Sequence, residues 1–353
     1  MDFGLSEEQT LFQDTLNNFL GDQVGLERVR RIASEEESAN TVWAELAELG
    51  VSALLVPEDH GGVGLEPLDA AIAAECLGHH ATPSPFLGSA VMGPTALSLA
   101  GGQGERLGRL AAGELRIGAA FGEAIAARAE AGVSAAGGRL NGRALYALDY
   151  GADEYLVADA SRSLHLVATG DLEHRPLATV DKTRSTGELV FKNSPAILLS
   201  DDPAHFQAVL DAGRVMLAAD TLGAAQNMLD QAVAYAKERE QFNRPIGSFQ
   251  AVKHMCAEMA AQLEPCRAMV WYASHALGEV PEEAHLTACH AKAHLAEVGT
   301  FVARTATEVH GGMGFTELLG LHYWFKRIGF NRQALGAPEL VREEAARAQQ
   351  LAL

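Results

Sequence analysis

The spacing of apolar residues changes period twice along this chain, and that double change constrains its fold more than any other feature. Up to about residue 115 the apolar positions follow a helical repeat, as in Leu11, Phe12, Leu16, Phe19 and Leu20. Ser6 and Gln9 form a capping box ahead of that set, and a second helix carrying Val42, Leu46 and Leu49 runs into Gly50, a natural left-handed terminator. Between about 116 and 200 the pattern becomes short β-branched or alternating runs, Glu154–Ala158, Ser163–Ala168 and Thr186–Phe191, separated by Gly, Asp and Pro. From 201 to 353 the helical repeat returns. Phe249, Val252, Cys256, Met259 and Leu263 form one stripe. Pro281 opens a further helix whose buried side carries Leu286, Cys289, Leu295, Val298 and Val302 and which ends at His310-Gly311.

The expected architecture is therefore mainly α with an inserted β domain. It comprises an N-terminal helical domain (1–115), a small antiparallel β-barrel or sandwich (116–200) with a hairpin turn at Asn141-Gly142, and a C-terminal four-helix bundle (201–353).

Charge narrows the partners. With 27 basic and 46 acidic side chains the formal charge is −19, which disfavours nucleic acid and anionic membrane surfaces. No uninterrupted apolar run approaches the ~20 residues of a spanning helix. The opening Met1-Asp2-Phe3-Gly4 lacks the basic start of a secretory signal, so a reducing cytoplasm is the expected location. Four cysteines, Cys76, Cys256, Cys266 and Cys289, show no C-x-x-C pair, and the 13 histidines form no H-E-x-x-H, so no metal site is expected.

Two segments carry the residue types that bind phosphate. Arg239-Glu240-Gln241-Phe242-Asn243-Arg244-Pro245-Ile246, followed by Phe249-Gln250, offers a guanidinium fork and amide side chains. Glu308-Val309-His310-Gly311-Gly312-Met313-Gly314-Phe315 offers a glycine-rich helix end that lets backbone N–H groups approach an anion. Read singly, the first is a solvated helix end and the second a C-cap. The Val56–Gly64 loop, read singly, is a plain turn and follows no strand, so it is no dinucleotide fingerprint.

In order along the chain, these segments resemble the signatures of the acyl-CoA dehydrogenase family. The first is similar to R-x-x-F-G-x-P-I-x-x-F-Q, with Asn243 for the glycine; the second is similar to Q-x-x-G-G-x-G-F, with Glu308 for the glutamine. Val56–Gly64 resembles P-E-x-x-G-G-x-G. The resemblance implies FAD as cofactor, an acyl-CoA substrate and an electron-transfer flavoprotein or similar acceptor. It also implies Arg239, Gln241, Phe242, Gln250, Glu308, Gly311, Gly312 and Gly314 as flavin contacts, with the Arg and Gln side chains of the first segment reaching across a subunit boundary.

The departures from the family are as informative. Its α-proton base is commonly a glutamate just before the last helix, where this chain has Leu335; an alternative glutamate precedes an arginine on the first bundle helix, where this chain has Gly213-Arg214. The T-E-P-x-x-G-S-D segment is replaced by Phe121–Ala127, and the W-I-T-N segment by Arg143–Asp149. The chain thus resembles the subunit of the heteromeric α2β2 branch that lacks the usual glutamate, in complexes acting on bulky CoA esters such as steroid side chains. It would supply part of a flavin site to a second, base-carrying subunit. A self-sufficient dehydrogenase would need a relocated base among Asp211, Asp220, Glu308 and Glu317. At about 100° per residue Asp220 shares the face of Gly213 and Asp211 lies opposite, which makes Asp220 the catalytic candidate on that reading. A flavin-free binding or scaffold protein on the same fold is the third reading.

Overall fold

The computed structural model describes residues 4–126, 128 and 130–351; Met1–Phe3, Ala127, Ala129 and the C-terminal Ala352-Leu353 lie outside the described residues, so the opening acidic segment and the Phe121–Ala127 replacement are described only from Gly4 and up to Ala126. The first helical region contains α1 (Glu7–Gln23), α2 (Leu26–Ala33), α3 (Ala39–Glu48), α4 (Pro67–His79), α5 (Gly93–Ala100) and α6 (Gly104–Ala111). Ser6 and Gln9 close the capping box of α1 as their spacing predicts, and Gly50 follows α3 with φ +80°. A π-helical turn, Leu87–Met92, runs directly into α5 and is fully buried.

The middle of the chain forms β1 (Ile117–Ala120), a single turn α7 (Gly122–Ile125), then β2 (Gly132–Ala136), β3 (Arg139–Leu148), β4 (Glu154–Ala158), β5 (Leu164–Ala168), β6 (Glu173–Leu177), β7 (Thr186–Pro195) and β8 (Ile197–Ser200). The strands make one sheet in the order β6-β7-β3-β1-β4-β5-β8, with β2 also on β3. Its ends do not meet, so there is no closed barrel. Nor is it purely antiparallel: β1 and β4 run parallel, Ile117 opposite Glu154 through Ala120 opposite Val157, because the β2–β3 hairpin intervenes between them. The expected antiparallel barrel is corrected to an open mixed sheet.

The hairpin turn is corrected as well. Asn141 and Gly142 lie inside β3, and the turn is Gly137-Gly138, with φ of +57° and +73°, the left-handed pair that a two-residue hairpin requires. Gly142 serves a different purpose. It holds φ +117°, and a Cβ there would stand 2.0 Å from the Gly132 carbonyl oxygen, beside a register shift at Leu140/Asn141. The glycine thus marks a place where β2 and β3 approach too closely for a side chain, while the extra residue of the neighbouring β3–β7 irregularity is Asn193 on β7, at φ +57°.

The third region comprises α8 (Pro203–Glu238), a two-residue hairpin, α9 (Gln250–Glu279), α10 (Pro281–His310), α11 (His322–Gln333) and α12 (Pro338–Ala348). Proline opens α8, α10 and α12 at positions where its missing N–H costs nothing. Helix α8 is the central beam: α4, α9, α10 and α11 all pack on it, and nearly every residue from Val209 to Ala225 is buried. Of the predicted α9 stripe, Met259 and Leu263 are buried, whereas Val252 and Cys256 are half-buried. Among the described residues no helix is long and apolar enough to cross a membrane.

The close approach at Gly142 yields a test. Gly142→Ala should lower the urea midpoint by an amount equal to about 1–3 kcal/mol of backbone strain plus the clash, whereas Gly137→Asn, which accepts a left-handed conformation in open space, should stay near the parent.

Candidate functional site

Two of the predicted phosphate-binding segments meet at one end of the bundle. Helix α8 ends at Arg239 and α10 at His310; Tyr235, one turn before Arg239, stacks on the His310 imidazole with ring centroids 4.6 Å apart. After Arg239 the chain makes a tight hairpin, Gln241 opposite Arg244, with Phe242 at φ +53° on its tip. Arg239, Gln241, Gln250, Glu308, Gly311 and Gly312 are exposed, and only Gly314 of the predicted set is buried, packed under Thr307 and His310. Phe242 is 86% exposed and Phe315 79%. Gly311 has φ +58°, and nothing lies within 4 Å of where a Cβ would sit on Gly311 or Gly312. Side chains and open backbone of this kind suit the phosphate end of a dinucleotide approaching from outside the chain, and the two bare phenyl rings suit an apolar surface laid over them.

The two positions where the family places its base also meet. Gly213 on α8 faces the turn after α11: a Cβ on Gly213 would stand 2.6 Å from Leu335 Cδ1 and 3.0 Å from Met92 Sδ. Met92 ends the π-helical turn, and Leu335, at φ +56°, is 7% exposed. Leu335 therefore fills the space that a side chain at 213 would take, and both positions are apolar. Two cations hold this turn from behind. Arg214 Nε donates to the Leu335 carbonyl at 2.9 Å, and Lys292 Nζ donates to the carbonyls of Asn331, Arg332 and Gly336 at 2.8, 3.2 and 3.1 Å, capping the C-terminus of α11. Burial, with Arg214 and Arg332 nearby, pushes the Lys292 ammonium down to about 7.

Asp220 does share the Gly213 face, and the structure shows what it meets there. Its carboxylate accepts from Arg327 Nε at 2.9 Å and Nη2 at 2.7 Å and from Asn331 Nδ2 at 2.6 Å, and it lies 2.9 Å from Arg184 Nη2. Burial opposes its charge, but the two guanidiniums and the Arg327 and Asn331 bonds prevail and hold the carboxyl below the usual range. A carboxylate so neutralised has little basicity. The junction around it, between α4, α8 and α11, encloses about 10 Å³, room for about one water and far too little for an aromatic ring. The network continues through Arg327 Nη1 to Thr183 Oγ1 at 2.9 Å and on to the buried Asp181 at 2.8 Å. Outside it opens a cleft of about 690 Å³ between the first helical region and the sheet, with Asp149, Lys182 and Arg184 on its wall. Burial pushes the Asp149 carboxyl up to about 6, although it accepts from the Gly88 N–H at 2.7 Å.

The remaining carboxylates are dispersed. Glu308 is exposed, and Glu317 bonds His322 Nε2 at 2.8 Å on the surface. Asp211 points away from Gly213, as its position on the helix requires, and meets His285 Nδ1 at 3.1 Å. That bond and the neighbouring Cys289 raise the His285 imidazole to about 10. Of the replaced segments, Arg143–Leu148 is continuous with β3, with Tyr146 half exposed at φ +56°, and Phe121 is buried against Phe206 with centroids 5.4 Å apart. Sequence reasoning missed Arg184, Arg327, Asn331 and Lys292. The available signal was Arg327 and Asn331, four apart on one face of a helix that otherwise turns Tyr323, Trp324 and Ile328 inward.

Comparison with known proteins identifies the family of the two helical regions. The family model for the acyl-CoA dehydrogenase N-terminal domain matches residues 6–108, and that for the acyl-CoA dehydrogenase C-terminal domain matches residues 204–350. Acyl-CoA dehydrogenase IpdE2 of Mycobacterium tuberculosis is 30% identical over 343 residues, covering 95% of each chain. Among solved structures, the ChsE4-ChsE5 complex of Mycobacterium tuberculosis superimposes with a TM-score of 0.90 at 26% identity over 100% of both chains. A variant of the Tcur3481-Tcur3483 steroid ACAD gives 0.89 at 27% identity over 98% of both.

The Asp220 network predicts an asymmetric response to substitution. Asp220→Asn leaves two buried guanidiniums facing a neutral amide and should cost about 3–5 kcal/mol in chemical denaturation. Because its carboxyl is held below the unfolded value, the stabilisation is present above about pH 4 and is lost as the pH falls further. The variant should therefore lose the parent's steep decline in stability below that pH.

Proposed function

This chain belongs to the acyl-CoA dehydrogenase family, and on that basis we propose that it is the subunit of a heteromeric, FAD-dependent enzyme that lends part of a flavin site to a base-carrying partner. The observation that carries the proposal is the contact between Leu335 and Gly213. The two places from which the family draws its base converge on one point here, and that point is occupied by the Leu335 side chain and Met92 rather than by a carboxylate. Asp220, the remaining carboxylate on that face, is spent on Arg184, Arg327 and Asn331. Abstraction of the weakly acidic α-proton of a thioester needs a carboxylate within hydrogen-bond reach, so the base comes from elsewhere.

The outward end of the bundle is what this chain contributes. Arg239 would pair with a flavin phosphate, Gln241 and Gln250 would donate amide hydrogen bonds, and the backbone at Gly311, Gly312 and Gly314 would approach the same oxygens, with Glu308 beside them and Phe242 covering the site against water. All but Gly314 are exposed on the isolated chain, as residues that serve a neighbouring subunit must be. FAD, when bound, supplies the two-electron acceptor for α,β-desaturation of the acyl-CoA. The likeness to steroid-type complexes supports a bulky acyl group such as a steroid side chain, an α2β2 assembly, and onward transfer of electrons to an electron-transfer flavoprotein or similar acceptor.

Co-expression with the partner should give a yellow α2β2 complex, measured by flavin absorbance and light scattering, and this chain alone should be nearly colourless. A stoichiometric yellow homotetramer from this chain alone would refute the assignment. In the complex, Arg239→Ala removes a charge-assisted pair of about 1.5–3 kcal/mol and should weaken FAD retention by one to two decades with unchanged circular dichroism.

A further inference from the structure

The cleft between the first helical region and the sheet has none of the proposed flavin contacts on its wall, and neither Leu335 nor Gly213. Its volume of about 690 Å³ is ample for a small molecule. The loop from α2 to α3, the turn Pro83–Pro85, Arg116 ahead of β1, the β3–β4 turn and the loop from β6 to β7 enclose it.

That wall carries more negative charge than its own residues neutralise. Asp149 is 5% exposed. Its Oδ2 accepts from the Gly88 N–H at 2.7 Å, while its Oδ1 has no hydrogen-bond partner among the described residues and is not sealed from the cleft. Burial lifts this carboxyl to about 6 although Gly88, Arg184 and Arg327 oppose the shift, the behaviour of a buried carboxylate short of donors. Asp181, 1% exposed, stands on the same wall. The Thr183 N–H and Oγ1 both donate to its Oδ1 at 2.8 Å, and its Oδ2 has no partner. The bases are already engaged. Arg184 pairs with Asp220 at 2.9 Å and Arg116 with Asp153 at 3.0 Å, and Arg327 also serves Asp220. Three buried carboxylates, Asp149, Asp181 and Asp220, thus share the two guanidiniums of Arg184 and Arg327. Lys182 is exposed and makes no ion pair among the described residues.

The rest of the wall narrows the kind of cation. A divalent metal needs several convergent oxygens, whereas Asp149 offers one free oxygen and Ile32, Pro83, Pro85, Pro176 and Leu177 make much of the surface apolar. An ammonium group on a methylene chain matches both parts, since its N–H groups donate to a carboxylate and its carbons cover apolar surface. Glu35 and Glu36, exposed and without a basic partner among the described residues, add negative charge on the solvent side. We propose that the cleft binds a small aliphatic diamine or polyamine. One ammonium group donates to Asp149 Oδ1 on the wall shared with Asp181, the methylene chain lies on the proline and leucine surface, and the far ammonium group faces Glu35 and Glu36.

The test is calorimetric titration of the full chain with putrescine at fixed ionic strength, with n-butylammonium and tetramethylammonium as comparison probes. One putrescine per chain is expected. Tetramethylammonium, which has the charge but no N–H, should bind about 10–100-fold more weakly, the worth of a charge-assisted hydrogen bond. Asp149→Asn keeps an acceptor for the Gly88 N–H and suits the left-handed backbone at this position, φ +57°, and should weaken putrescine by a similar factor with unchanged circular dichroism. Glu35→Gln combined with Glu36→Gln should weaken putrescine about two- to fivefold and leave n-butylammonium unchanged. An acidic chain also gathers cations without a site. Several weak sites that release putrescine and tetramethylammonium alike as salt rises would therefore overturn the proposal, and this comparison on the parent chain needs no variant to fold. A single site that Asp149→Asn leaves unchanged would overturn it as well.

Discussion

Asp220 joins three parts of the chain at one point. Its carboxylate sits on α8, Arg327 and Asn331 reach it from α11, and Arg184 reaches it from the segment that leads into β7. Thr183 and Asp181 extend the network into the sheet domain. A single buried anion between two buried guanidiniums is weak evidence for net stability, because each ion lost its hydration on entering. It is strong as a geometric constraint, since removing any of its charged members leaves a charge uncompensated in a site with room for no more than about one water. The sheet therefore cannot shift against the bundle without breaking it, and everything the bundle presents outward is held in register with the sheet.

That constraint bears on function. A working dehydrogenase site needs a crevice for a flat ring and a thioester, whereas here the junction between α4, α8 and α11 is filled by arginine and aspartate and the base positions by Leu335 and Met92. A leucine on this turn leaves its backbone intact. Arg214 and Lys292 bind carbonyl oxygens of the turn, not the side chain at 335, so leucine is accommodated without disturbing the backbone. A subunit can in this way keep the family's shape, and the surface by which it would serve a partner, with no carboxylate at those two positions.

Much of this was legible from residues alone. The capping box at Ser6, the terminator Gly50, the proline start of α10 and the strands Glu154–Ala158 and Thr186–Phe191 depend on local hydrogen bonding and side-chain alternation, and all form where the sequence puts them. The helical wheel placed Asp220 on the Gly213 face and Asp211 opposite, because a helix fixes angles between its own residues. What the wheel could not supply was the partner across the gap. Arg327 lies 107 residues from Asp220, and nothing in either neighbourhood announces the pairing.

Sequence determined what is short-ranged: the element boundaries, the order of helical, sheet and helical regions, and the motif segments at Arg239 and Gly311 that carry the family likeness. Tertiary structure alone decided what depends on distance through space. It showed that the sheet stays open and runs β1 parallel to β4, that Asn141-Gly142 lies inside β3 rather than at a turn, and that Tyr235 and His310 bring the two motif segments to one end of the bundle. It also paired Asp211 with His285 and Glu344 with Arg214. The physical reason is the same in each case. Hydrogen-bonding periodicity acts over a few residues and is written in the local sequence, whereas the fate of a buried charge depends on which distant side chain the packed core brings within about 3 Å of it.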